Sequence, residues 1–122
     1  MKNHKHEIMW WMSRLTIMLT SLFLSFSLAQ SAWATEVTMG SNGNLVFEPN
    51  DITINAGDTV TFTNGALPPH NMIVKDHPEL SHGDLAFATG DSFDVTFPDA
   101  GDFEFQCDPH AGAGMKGVIH VQ

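Results

Sequence analysis

The sequence predicts an all-β fold, a sandwich of two sheets built from seven to eight short strands in residues 35–122. Three observations carry this. Apolar and polar residues alternate in short runs, the signature of half-buried strands. Gly, Asn, Asp and Pro separate the runs at short intervals, as in "GSNGN", "NAGD", "NGALPP" and "PDAGD". No stretch of ten or more residues carries a helical repeat, and many short strands with frequent turns point to a sandwich.

The first 34 residues stand apart. Lys2, Lys5 and Arg14 give a basic start, an apolar run follows from Leu15 to Ala29, and "SAWA" places small residues at Ala32 and Ala34. This is the pattern of an export signal cleaved after Ala34. An uncleaved membrane anchor is the alternative, but the run is shorter than the ~20 residues a spanning helix needs. The remaining domain, residues 35–122, then yields its strands in order. "LVFEP" is the first alternating run. "DITINAG" places Ile52 and Ile54 on one face, and "DTVTFTNG" does the same with Val60 and Phe62. "HNMIV" follows the Pro68–Pro69 turn. Phe93, Val95 and Phe97 share a face, as do Phe103, Phe105 and Cys107. Ile119 and Val121 close the chain as an inward pair, and "DHPELSHGD" has room for one short helical turn.

Charge removes some functions. Residues 35–122 hold two lysines, Lys75 and Lys116, no arginine and thirteen carboxylates, a net charge of −11 with histidine neutral. No basic stripe exists to meet nucleic acid, and no basic amphipathic helix to lie on a membrane. Cys107 is the only cysteine, so no disulfide forms within the chain. A free thiol in an exported protein is either buried and inert or occupied.

Cys107 lies on the inward parity of its strand. Asp108 and Glu104 beside it disfavour a thiolate unless a cation compensates. His110 follows after two residues, a chelate spacing, with Pro109 bracing the turn. The small residues 111–114 let the loop fold closely, and Met115 follows. A fourth ligand must come from His70, His77, His82 or His120. His120 alternates with Ile119 and Val121 and should face solvent, and His77 and His82 sit in a loop. His70, stiffened by the prolines before it, is the best candidate. Two imidazoles, a thiolate and a weak thioether make a blue-copper electron-transfer set. The cysteine count excludes a four-cysteine zinc or iron–sulfur site, and a zinc site would not normally use methionine. No acid–base pair beside a substrate pocket is visible, and a saturated ligand set leaves no position for substrate, so the expectation is not an enzyme.

With these residues in place, the chain resembles the plastocyanins, within the cupredoxins. "LVFEPNDITINAGDTVTFTN" is similar to their N-terminal strands, "LPPHNMIV" to the segment of the first histidine ligand, "LSHGDLAFATGDSF" to the middle segment and "CDPHAGAGMKG" to the ligand loop. The Cys-x2-His-x4-Met spacing alone is shared with pseudoazurin. The resemblance implies a Greek-key cupredoxin sandwich with a C-terminal metal-binding loop. It implies one copper ion, cycling between Cu+ and Cu2+, held by His70, Cys107, His110 and Met115. Asn71 would bond across to the cysteine-bearing loop. His110 would be the exposed ligand, within an apolar patch of Leu45, Pro69, Ala111, Gly112 and Ala113. The implied partners are cytochrome f of the cytochrome b6f complex and photosystem I. The implied setting is a cyanobacterial thylakoid lumen, with the protein a monomer peripheral to the membrane. A pseudoazurin-type periplasmic donor and a copper-carrying protein are the alternatives. The chain departs from its relatives at Gln106, where they usually have tyrosine, at Ala111, where cyanobacterial ones often have arginine, and in a short segment between His70 and Leu85.

Overall fold

The computed structural model describes residues 34–122; the export signal assigned to residues 1–34 lies, but for Ala34, outside them. Among the described residues nine strands make two sheets. They are β1 (Thr35–Ser41), β2 (Asn44–Glu48), β3 (Asp51–Ile54), β4 (Thr59–Asn64), β5 (His70–Val74), β6 (His82–Ala86), β7 (Ser92–Thr96), β8 (Gly101–Gln106) and β9 (Lys116–Val121). One sheet has the order β2-β1-β4-β7, the other β3-β9-β8-β5-β6. β1 runs parallel to β4 and β3 parallel to β9; the remaining pairs are antiparallel. Among the described residues no helix is long and apolar enough to cross a membrane.

The alternation decides which residues fill the space between the sheets. Val60 and Phe62 of β4, Ile52 and Ile54 of β3, Phe103 and Phe105 of β8, and Ile119 and Val121 of β9 are all buried. Each large side chain removed from water contributes about 1.5–3 kcal/mol. Three phenylalanines lock the sheets together. The ring of Phe105 stands edge-on to Phe47 at 4.7 Å and to Phe62 at 5.8 Å. Phe47 and Phe62 come from the opposite sheet, so this cluster fixes the end of β8, two residues before Cys107.

Two strands are additions to the alternating runs. β1 buries Val37 and Met39, but a register shift between Met39 and Ser41 and the buried Gly40 interrupt its alternation. β6 is an edge strand that buries only Ala86, so it has no apolar period to detect. The short turn in "DHPELSHGD" is a 3-10 helix at Pro78–Leu80, and His82 begins β6 instead of lying in the loop.

Candidate metal centre

Two segments meet at one end of the sandwich. β5 starts at His70, which is fully buried. β8 leads into Cys107, also fully buried, and then into a 3-10 segment at Asp108–Ala113. That loop is closed by its own backbone. The N–H of Cys107 donates to the Met115 carbonyl at 3.1 Å, that of His110 to the Cys107 carbonyl at 3.1 Å, and that of Met115 to the His110 carbonyl at 3.3 Å. Gly114 turns the chain at φ 90°, where a Cβ would be strained. The Cys-x2-His-x4-Met spacing is thus the length of one closed loop, which returns the chain to β9.

Asn71 ties this loop to β5 and β6. Its Oδ1 accepts from the Asp108 N–H at 2.9 Å, and its Nδ2 donates to the Gly83 carbonyl at 3.2 Å. The cross-link implied by the resemblance is therefore present.

The donor atoms converge. Nδ1 of His70 lies 3.7 Å and Nδ1 of His110 3.6 Å from Sγ of Cys107. One donor atom from each residue lies within 4.8 Å of the others. A first-row ion bonded at about 2.0–2.1 Å to nitrogen and about 2.3 Å to sulfur separates such atoms by about 3.6–3.8 Å at angles between tetrahedral and trigonal. The observed spacing fits. Nε2 of His70 lies 2.6 Å from the Ala66 carbonyl oxygen. A carbonyl can only accept, so Nε2 carries the proton and Nδ1 offers its lone pair toward the cluster. Burial pushes the Cys107 thiol up, against hydrogen bonds from the backbones of Asn71 and His110 that pull it down. Burial, helped by the neighbouring His70, pushes His110 down. His110 is thereby favoured as a neutral donor, and the thiolate needs a cation beside it.

The other histidines among the described residues lie elsewhere. Nδ1 of His77 is 2.8 Å from a Glu79 carboxylate oxygen, and His82 stacks on Phe93 at 3.9 Å. His120 sits between Asp102 and Asp51, at 2.6 Å and 3.2 Å. Met115, at the end of the loop, is fully buried. The Ala66 carbonyl behind His70 gave no sequence signal, because a backbone oxygen has no residue type to read.

A β-sandwich with one buried thiol and two imidazoles converging at the end of its strands defines a cupredoxin with a site for one type 1 copper ion. Residues 34–122 match the copper binding proteins of the plastocyanin/azurin family, and the chain belongs to that family. It is 45% identical over 106 residues to a chloroplastic plastocyanin of Tetradesmus obliquus, covering 80% of this chain and 73% of that protein. It is 48% identical over 96 residues to a plastocyanin of Scenedesmus fuscus, covering 70% of this chain and 97% of the other. A solved structure of a mutant fern plastocyanin superposes with a TM-score of 0.66 at 30% identity, covering 72% of this chain and all of that one. The protein is a type 1 copper electron carrier and not an enzyme.

Proposed function

We propose that His70, Cys107, His110 and Met115 hold the copper ion, and that the protein carries electrons from cytochrome f of the cytochrome b6f complex to photosystem I. On this reading it works in a thylakoid lumen, peripheral to the membrane, after a signal of residues 1–34 is removed. The observation that carries the ligand reading is the convergence of two Nδ1 atoms on Sγ of Cys107, with the Nε2 proton of His70 already committed to Ala66. The partners and compartment rest on similarity to chloroplastic plastocyanins.

When bound, copper supplies a one-electron couple: thiolate and thioether suit the reduced ion, and imidazoles accept either valence. The chain's residues prepare for it. Cys107 would hold the cation through Sγ as a thiolate. His70 is gripped by Ala66 and excludes water from its side of the site. Asn71 holds the loop at its distance from β5. His110 is half-buried, with Ala111 half-buried and Gly112 and Ala113 exposed beside it. Small side chains there let a partner's surface come close to the imidazole edge. Such a flat contact suits brief association.

Visible absorption of the oxidised, copper-loaded protein tests the site, and oxidation kinetics with cytochrome f and photosystem I test the partners. An intense band near ~600 nm, from copper–thiolate bonding, and rapid transfer with both partners are the expected results. A colourless copper protein would sink the ligand reading, and a blue protein inert toward both partners would sink the partner reading. Met115→Gln should keep copper but lower the reduction potential, since an amide oxygen favours the oxidised ion. A potential unchanged by voltammetry would make Met115 a packing residue.

A further inference from the structure

The Ala66 carbonyl that meets His70 is itself held from behind. The Ala66 N–H donates to the Gly40 carbonyl at 2.7 Å, and the Gly65 N–H to the Met39 carbonyl at 2.8 Å. Both acceptors lie on β1, in the sheet opposite β5. The hydroxyl of Thr89 donates to the Gly65 carbonyl at 3.0 Å. Residues 65 and 66 are thus clamped between β1 and the segment after β6. At Gly40 the backbone takes φ +78°, and a Cβ there would overlap the Ala66 carbonyl oxygen and stand 2.6 Å from Nε2 of His70. The fit behind the imidazole leaves no room for a methyl group.

We propose that Gly40 is a positioning residue for the copper centre: its missing side chain lets the Ala66 carbonyl close on Nε2–H of His70, which fixes the ring and strengthens Nδ1 as a donor. This rests on the reading of His70 as a ligand. A partner on the second ring nitrogen sets orientation and raises ligand basicity, and its loss typically costs 10–100-fold in metal affinity. A methyl group at position 40 must push Ala66 away, lengthen this hydrogen bond and weaken Nδ1. The oxidised ion loses more than the reduced one, because the harder, more highly charged state depends more on imidazole donation.

Gly43 provides the control. It also has a left-handed backbone, φ +73°, but nothing lies within 4 Å of the Cβ position. Gly40→Ala and Gly43→Ala therefore share the backbone strain, and only Gly40→Ala displaces Ala66. Three quantities are measured on each copper protein: copper(II) affinity by chelator competition, reduction potential, and exchange of the His70 Nε2 proton by NMR of the reduced form. Gly40→Ala should bind copper(II) about tenfold more weakly. With copper(I) affinity unchanged, that factor raises a one-electron potential by about 59 mV. Its Nε2 proton should exchange faster, and Gly43→Ala should match the wild type in all three. A Gly40→Ala protein with wild-type potential and a protected Nε2 proton overturns the inference, as does a Gly43→Ala protein with the same shifts. Should Gly40→Ala fail to fold, Thr89→Val removes the exposed strut on Gly65 and should raise the potential by a smaller amount; no change there overturns the inference equally. A wild-type protein without the blue band overturns the ligand reading instead, a result told apart by colour alone.

Discussion

The two sides of the metal centre are built differently. His70 comes from a strand, is fully buried and has its outer nitrogen on a backbone carbonyl. His110 comes from a closed loop and is half-buried, and among the described residues no protein group meets its Nε2. The strand side has its geometry set by both sheets at once. The loop side has the reach to present an edge to a partner. An electron carrier needs both: a donor set that holds its shape between oxidation states, and one ligand close to the surface. Cys107 belongs to both sides, since β8 delivers it and the loop begins at it.

The largest break is at that shared residue. Cys107→Ser should fold, because the swap is small, and should lose the intense visible band. A hydroxyl ionises far less readily than a thiol, and burial already opposes the thiolate. An absorption spectrum of the copper-loaded variant decides it, and a band of wild-type intensity would remove Cys107 from the site.

The comparison itself is tested by removing each imidazole. His110→Gly opens a gap toward solvent, so added imidazole should enter and restore the blue band. His70→Gly opens a gap sealed by Gly40, Ala66 and the core, so imidazole should restore nothing. Equal rescue of both variants would mean that the two sides do not differ in access.

A smaller effect is expected at the link between the sides. Asn71→Ala removes the acceptor for the Asp108 N–H and the donor to Gly83. Asp108 and Gly83 are exposed residues whose freed groups can turn to water, so each lost hydrogen bond costs about 0.5–1.5 kcal/mol. The urea midpoint of the copper-free protein should fall accordingly; an unchanged midpoint would show that the loop closes without this cross-link.

Much of this was legible in the sequence, for physical reasons that also mark its limits. Cys107, His110 and Met115 lie within one loop, so their spacing encodes their geometry directly. His70 is distant, and only the prolines before it and the resemblance singled it out. The inward parity of Phe103, Phe105 and Cys107 held because the strand period is strict. Strand β6 escaped because an edge strand with one buried residue shows no alternation. The clamp behind His70 escaped because it consists of backbone groups at Met39, Gly40, Gly65 and Ala66, brought together by the parallel pairing of β1 with β4. A glycine chosen for close approach reads in sequence like a glycine chosen for a turn.

His120 supplies the third case and the smallest effect. Both of its ring nitrogens face carboxylates, Nδ1 toward Asp102 on β8 and Nε2 toward Asp51 on β3, while the residue itself lies on β9 between them. Its first and largest influence is the hydrogen bond to Asp102, and its pKa is raised. With both nitrogens as donors it is a cation that bridges three strands, whereas burial pushes His110 toward the neutral form. A group whose pKa is raised by folding adds stability that is complete below the unfolded value, about 6.5 for histidine, and that fades as pH rises through the folded value. The site is exposed and screened by salt, so the contribution is modest. His120→Gln keeps the size and can still donate, but cannot become a cation. The wild type should therefore exceed this variant in urea midpoint by more at pH 5.5 than at pH 9, with the gap narrowing in high salt. The test uses copper-free protein, so that metal binding does not add its own pH dependence. A gap that is equal at both pH values would make His120 a packing residue whose carboxylate neighbours serve only as hydrogen-bond acceptors. A gap that widens toward high pH would reverse the sign and require His120 to be held neutral.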